Sequence, residues 1–148
     1  MYCNGIQSYR KTNVVTADPM RLVIMCYEGA VDSLKLAKQK IDEKDYEAKA
    51  KAINKTKDII DELLCSLDLE KGGVIANNLS SLYNYMKRRI MFGDINKDTG
   101  AIDEVIGMLS ELLSAWQGVA SKPDTEIRVA GEGFYEDRMP MAAKYVSA

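Results

Sequence analysis

The side chains that could carry chemistry in this sequence are carboxylates, three thiols and one short basic cluster, for the chain contains no histidine. The missing imidazole removes most catalytic triads, histidine-liganded metals and switching near neutral pH. Asp61, Glu62, Asp103 and Glu104 come closest to a carboxylate constellation, yet they stand at positions expected to face outward. Each reads more readily as a solvated helix face than as a general acid. A helical bundle can hold a di-iron centre, but that arrangement needs two Glu-x-x-His motifs, which cannot be written without histidine. Cys3, Cys26 and Cys65 are odd in number, widely spaced and without a Cys-x-x-Cys pair, which argues against a disulfide framework and a zinc site alike. Cys26 falls on an apolar helical stripe and suits a small buried hydrophobe. No glycine-rich phosphate loop occurs, and Gly72-Gly73 is better explained as a helix break. Lys87-Arg88-Arg89 could meet a phosphate, but so short a run is usually a solvated helix end complementing its dipole. The chain is therefore expected to be no enzyme, to need no cofactor or metal, and to bind no nucleic acid.

What remains is a helix suited to contact. Gly72–Ile90, GGVIANNLSSLYNYMKRRI, opens with a glycine pair and then places Ile75, Leu79, Leu82, Met86 and Ile90 in steps of four, three, four and four. That spacing makes one continuous stripe on a 3.6-residue period. The same stretch carries Asn77, Asn78, Tyr83, Tyr85, Arg88 and Arg89, more than a core alone requires. One face is expected to fill a core and another to meet a partner, with Tyr85, off the main stripe, the stronger candidate for contact.

The elements around this helix follow from the same period. A hydrophobic content of 47% and a charged content of 28% describe a globular chain, and a net charge of −2 offers no field for nucleic acid. The longest apolar run, Leu22–Tyr27, is too short for a bilayer, and Tyr2, Asn4, Gln7 and Arg10 interrupt any signal-peptide core. No membrane insertion is expected, and the chain should remain in the cytosol. Residues 1–17 read as an arm with Tyr2, Ile6 and Tyr9 in helical spacing. Asp18-Pro19 is a helix start, an N-cap followed by proline at the first helical position. From there Val23, Cys26, Ala30, Leu34, Ala37 and Ile41 form a stripe, widened by Leu22, Met25, Gly29 and Leu36. In the second helix Ala50, Ala52 and Ile53 read as inward, with lysines outside. Gly93 suits a left-handed cap to the third helix, and Asp98 or Thr99 can cap the fourth. The expectation is an all-α, antiparallel up-down four-helix bundle over 18–121, with helices at about 18–42, 46–69, 74–93 and 99–120. Residues 122–148, broken by Gly131, Gly133 and Pro140, read as an irregular tail.

Four segments of this chain resemble the flagellar secretion chaperone FliS family. They are Met1-Tyr2 with Asn4 and Tyr9, then Ala17–Ala30 (ADPMRLVIMCYEGA), Leu67–Ile90 (LDLEKGGVIANNLSSLYNYMKRRI) and Ile102–Trp116 (IDEVIGMLSELLSAW). Leu-Val-x-Met-x-Tyr-x-Gly-Ala followed by Gly-Gly-x-Ile-Ala-x-Asn-Leu-x-x-Leu-Tyr-x-Tyr-Met-x-x-Arg is a specific combination. Gly5-Ile6 departs from the family's usual Asn-Pro-Tyr arm, Gly93-Asp94 from a frequent Ala-Asn pair, and the tail beyond Ala120 has no counterpart. The resemblance implies a cytosolic bundle that binds the disordered C-terminal segment of flagellin in an apolar groove, prevents premature polymerisation and keeps its client competent for secretion. The implied groove runs along the second, third and fourth helices. Ile59, Leu63, Leu82 and Tyr85 would be its apolar anchors, with Asn78 pairing to backbone and Arg89 to an acidic or carbonyl group. Leu63 and Leu82 suit a core equally well. Tyr2, Ile6 and Tyr9 would cover part of the groove until the client binds. The flagellar export gate and other flagellar regulators are further candidate partners. The competing reading is a non-catalytic helical adaptor whose second apolar stripe is a self-association interface.

Overall fold

A computed structural model of the chain describes residues 19–120 as four helices: α1 (Pro19–Asp42), α2 (Tyr46–Ser66), α3 (Leu69–Asn96) and α4 (Thr99–Ala120), with no strand among the described residues. The arm with Tyr2, Ile6 and Tyr9, the Asp18 cap and the tail lie outside them.

Directions follow from which side chains meet. Lys49 near the start of α2 pairs with Asp94 near the end of α3, while Asp61, further along α2, pairs with the earlier Lys87. The two helices therefore run antiparallel. Arg89 meets Glu104 and Gly93 meets Ile102, so α3 and α4 are reversed in the same way. Tyr27 against Trp116 and Lys38 against Asp103 set α1 antiparallel to α4. Each of α1 and α3 packs on both α2 and α4, which places α1 and α3 on one diagonal of an all-α four-helix bundle. No described helix is long and apolar enough to cross a membrane.

The expected row on α1 is buried throughout: Val23, Cys26, Ala30, Leu34, Ala37 and Ile41. Leu36 is not part of it and stands half exposed, because two residues past the buried Leu34 it comes round to the far side of the helix. Ala50 is likewise exposed rather than inward, while Ala52 and Ile53 are buried. On α3 the core row is Ala76, Leu79, Tyr83, Met86, Ile90 and Gly93, and it differs from the expected stripe at two places. Ile75 is 53% exposed and Leu82 is only half-buried, while Tyr83, expected to face a partner, is fully buried. Tyr83 can sit inside because its hydroxyl shares a hydrogen bond with that of the equally buried Tyr27 across the bundle. A phenol buried in this way has its polar tip satisfied and its ring available for packing. The two rings lie 6.4 Å apart, and Trp116 lies 6.4 Å from Tyr27 on the other side.

The helix ends are local chemistry. Asp45 accepts from Ala48 N–H to cap α2, Asp68 accepts from Glu70 and Lys71 N–H to cap α3, and Asp98 accepts from Gly100 and Ala101 N–H to cap α4. The α2–α3 boundary thus falls at Leu67-Asp68, earlier than the glycine pair. Gly73 instead kinks α3 just after its first turn, at φ 56° and ψ −133°, a conformation that disfavours any residue with a Cβ. α3 also runs past Gly93 to Asn96, where Lys97 takes the left-handed cap. Gly93 serves close approach instead: a Cβ there would lie 2.9 Å from Ile102 Cγ1 and 3.0 Å from the Asp98 carbonyl oxygen.

Candidate partner-binding site

Beside the core row of α3 runs a second row, offset by one residue: Ile75, Asn78, Leu82, Tyr85, Arg89 and Phe92, in alternating steps of three and four. Ile75, Asn78 and Phe92 are exposed, and Leu82, Tyr85 and Arg89 are half-buried. Two contacts fix which way this row points. The Tyr85 hydroxyl donates to Glu104 Oε2, and Arg89 Nε donates to Glu104 Oε1 at 3.0 Å. The row therefore borders α4. One and two turns beyond Glu104 on the same face of α4 stand Met108 and Leu112, both half-buried and packed against the core. The seam between α3 and α4 has an apolar floor from Leu82, Met108 and Leu112, crossed by a polar tie from Tyr85 and Arg89 to Glu104.

That tie has its own electrostatics. The hydrogen bond from Tyr85 holds the Glu104 carboxyl below its ordinary range, with help from the Arg89 cation and against a smaller penalty from burial. The same hydrogen bond pushes the Tyr85 phenol up, because it is made by the neutral form and Glu104 carries the nearby negative charge. Aromatic faces hold the guanidinium groups in place: Arg89 lies 5.0 Å from the Phe92 ring centre and Arg88 lies 5.9 Å from that of Tyr85.

Of the residues the sequence singled out, Asn78, Leu82, Tyr85 and Arg89 come together in this row. Ile59 and Leu63 do not join them. They are 8% and 2% exposed, and Ile59 Cδ1 lies 3.4 Å from where a Cβ on Gly29 of α1 would sit. Both fill the interior, while α2 meets α3 on its other flank through Lys49–Asp94 and Asp61–Lys87. Tyr2, Ile6 and Tyr9 lie outside the described residues. Extending the Tyr85 row one step each way reaches Ile75 and Phe92, and the structure exposes Ile75, which the sequence stripe assigns to the core. In the sequence Glu104 reads as a solvated carboxylate, and only the fold brings it to Tyr85 and Arg89. Among the described residues, six of the eight exposed large hydrophobic side chains belong to α3: Leu69, Val74, Ile75, Met91, Phe92 and Ile95. Apolar surface left in water this unevenly marks the helix that meets something else.

Comparison with known proteins bears on what that is. The family described as "Flagellar protein FliS" matches this chain over residues 2–123. The chain belongs to the FliS family. Among its FliS relatives, the flagellar secretion chaperone FliS of Salmonella typhimurium (strain LT2) is 40% identical over 124 residues, spanning 80% of this chain and 92% of that protein. The flagellar secretion chaperone FliS of Bacillus subtilis (strain 168) is 32% identical over 114 residues, spanning 77% of this chain and 84% of the other. The flagellar secretion chaperone FliSB of Pseudomonas aeruginosa is 34% identical over 110 residues, covering 74% and 87% respectively. FliS membership makes the chain a flagellar export chaperone and not an enzyme. A seam of apolar, tyrosine and hydrogen-bonding side chains is in keeping with a role in binding.

Proposed function

We propose that this chaperone holds the disordered C-terminal segment of flagellin in the cytosol, along the Ile75–Phe92 row of α3 and the adjoining seam with α4. The observation that carries the reading is the concentration of exposed apolar side chains on α3, in a bundle whose other helices are comparatively well covered. A disordered segment that folds on binding must offset its ordering cost, several kcal/mol of the gross contact energy, with a broad apolar surface. Leu82, Met108 and Leu112 supply the floor, and Ile75 and Phe92 extend it at each end. An amphipathic client helix laid in this seam would spend its apolar positions here rather than on another flagellin molecule. Asn78 would bond an exposed client backbone group. Tyr85 and Arg89, tied to Glu104 in the free protein, would exchange that carboxylate for a client carbonyl or carboxylate. Ile59 and Leu63 act from beneath, holding α2 in the core. The arm residues Tyr2, Ile6 and Tyr9 would shield the row until the client arrives.

Calorimetry against the C-terminal peptide of the same organism's flagellin tests the reading. The expected result is one-to-one binding at micromolar strength or tighter, with a large negative heat-capacity change. Tyr85→Asp and Leu82→Asp should each weaken it at least about tenfold, as charge enters an apolar contact. Leu63→Ala should lower stability instead, by about 2–5 kcal/mol, with little change in the affinity of the folded fraction. Absence of heat at several temperatures, or unchanged binding in the Tyr85→Asp and Leu82→Asp variants, overturns the proposal.

A further inference from the structure

A second apolar patch lies on the flank of α3 that meets α2, away from the seam. Met91 and Ile95, four residues apart, are both exposed, Ile95 at 71%. Beside them on α2 stand the exposed Tyr46 and, one turn on, Ala50. Lys97 Nζ sits 4.2 Å from the centre of the Tyr46 ring, and Lys49 Nζ sits 5.7 Å from it. The Lys49–Asp94 and Lys87–Asp61 pairs tie the two helices together along this edge.

The patch has a strongly basic border in a chain of net charge −2. Lys57, three turns from Tyr46 on the same face of α2, Arg88, two turns before Ile95, and Lys97 lie along it, while Lys49 and Lys87 are engaged by Asp94 and Asp61 and Arg89 turns to Glu104 in the seam. On the opposite corner α4 carries Asp103, Glu104 and Glu111 and no basic residue.

We propose that this α2–α3 edge is a second docking surface, and that its occupant is an acidic amphipathic helix of a partner protein other than the client. Apolar side chains one turn apart on that helix would cover Met91, Ile95 and Tyr46, and flanking carboxylates would face Lys57, Arg88 and Lys97. A second copy of this chain is a poor match, because two of the three acids on α4 are already engaged: Asp103 pairs with Lys38 and Glu104 with Arg89. A nucleic acid would use the cations but gain nothing from Met91 and Ile95. A lipid surface would call for a broader apolar face than this narrow edge offers. Because the edge and the seam lie on opposite flanks of α3, both can be filled at once, and the chaperone could be engaged by other machinery while loaded.

The test uses the full-length protein and a synthetic helical peptide of about 18 residues, long enough to reach both ends of the patch. It carries leucines in one-turn spacing flanked by glutamates, and a control peptide replaces every glutamate with lysine. Followed by amide NMR, the acidic peptide should shift signals from residues 46–57 and 87–97 and leave those of Ile75–Leu82 in place. Its affinity should fall at least about tenfold in the Ile95→Ser/Lys97→Glu variant and fall again as salt rises, as a charge-steered contact must. The lysine peptide should not bind. The variant should bind flagellin peptide as the parent does, so failure here leaves the client site standing and failure there leaves this one. Shifts on the Ile75–Leu82 row, equal binding of the two peptides, binding to anionic vesicles alone, or a concentration-dependent mass lost in the variant would each overturn the proposal.

Discussion

Three glycines in this bundle should answer the same substitution in different ways, and their order is a direct test of the packing described above. Gly107 lies exposed within α4, and a Cβ there meets nothing within 4 Å. Gly107→Ala should therefore gain the intrinsic helix preference of alanine, about 0.8–1 kcal/mol. Gly93→Ala collects the same gain but must find room against Ile102 Cγ1 at 2.9 Å and the Asp98 carbonyl at 3.0 Å. Overpacking of this kind costs about 1–3 kcal/mol, so the net should be a loss near 1 kcal/mol. Gly73→Ala has open space, but φ +56° with ψ −133° lies outside even the left-handed well, and holding alanine there costs about 1–3 kcal/mol. Urea unfolding at fixed pH measures all three. With a slope of about 2 kcal/mol per molar urea, the Gly107 and Gly93 variants should sit about 1 M apart in midpoint, on either side of the parent. If the Gly93 and Gly107 alanine variants move together, helix preference dominates and the close approach of α4 to α3 carries no energetic weight.

Two other expectations concern polar contacts. A double-mutant cycle of Tyr27→Phe and Tyr83→Phe, read by urea unfolding, should show a coupling of about 1 kcal/mol from the shared hydroxyl contact, and strict additivity would refute it. Glu104, held below its ordinary value of 4.5, contributes stability that is present above that value and disappears as pH falls through the depressed one. Tyr85 works in the opposite sense: its phenol is raised from 10.0, so its contribution is complete below that pH and is lost as pH climbs through the raised value. Glu104→Gln should flatten the acid limb of the stability profile and bring the Tyr85 ionisation down, seen as the ultraviolet difference against Tyr85→Phe. An unchanged alkaline titration would refute the tie.

The bundle was legible in the sequence because its determinants are local. Three-and-four spacing marked the core row of α1, and Asp98 announced a helix start by a side chain that reaches only two or three residues ahead. What depended on distant residues was not legible. On α3 two apolar rows share Leu79, Met86 and Ile90 or lie one position away, and only Tyr27, far earlier in the chain, selects the one that contains Tyr83. Gly93 looked like a cap because glycine ends helices, but its reason for being glycine is Ile102 on the next helix. The left-handed ends fall instead on Lys44 and Lys97, residue types that do not advertise that conformation. At the site, the row from Asn78 to Arg89 was visible as periodicity. Glu104 across the seam was not, and for Leu63, which suits a core and a groove equally in the sequence, and for Ile59 the packing of α1 against α2 decides for the core.

The placement of Trp116 gives the bundle an optical reporter of its own. It is the sole tryptophan in the chain, nearly sealed from water, with Tyr27 beside it and Tyr83 one ring further on. Light absorbed by those two tyrosines should pass to the indole only while the helices carrying them stay together. Emission excited through tyrosine therefore reads the integrity of the core, whereas quenching by a dissolved solute reads whether water has reached it. A client resting on the outer row of α3 should leave both signals nearly unchanged, while one that pries α3 and α4 apart should alter both. The same chromophore can thus distinguish a bundle that carries its cargo on an intact surface from one that opens to receive it.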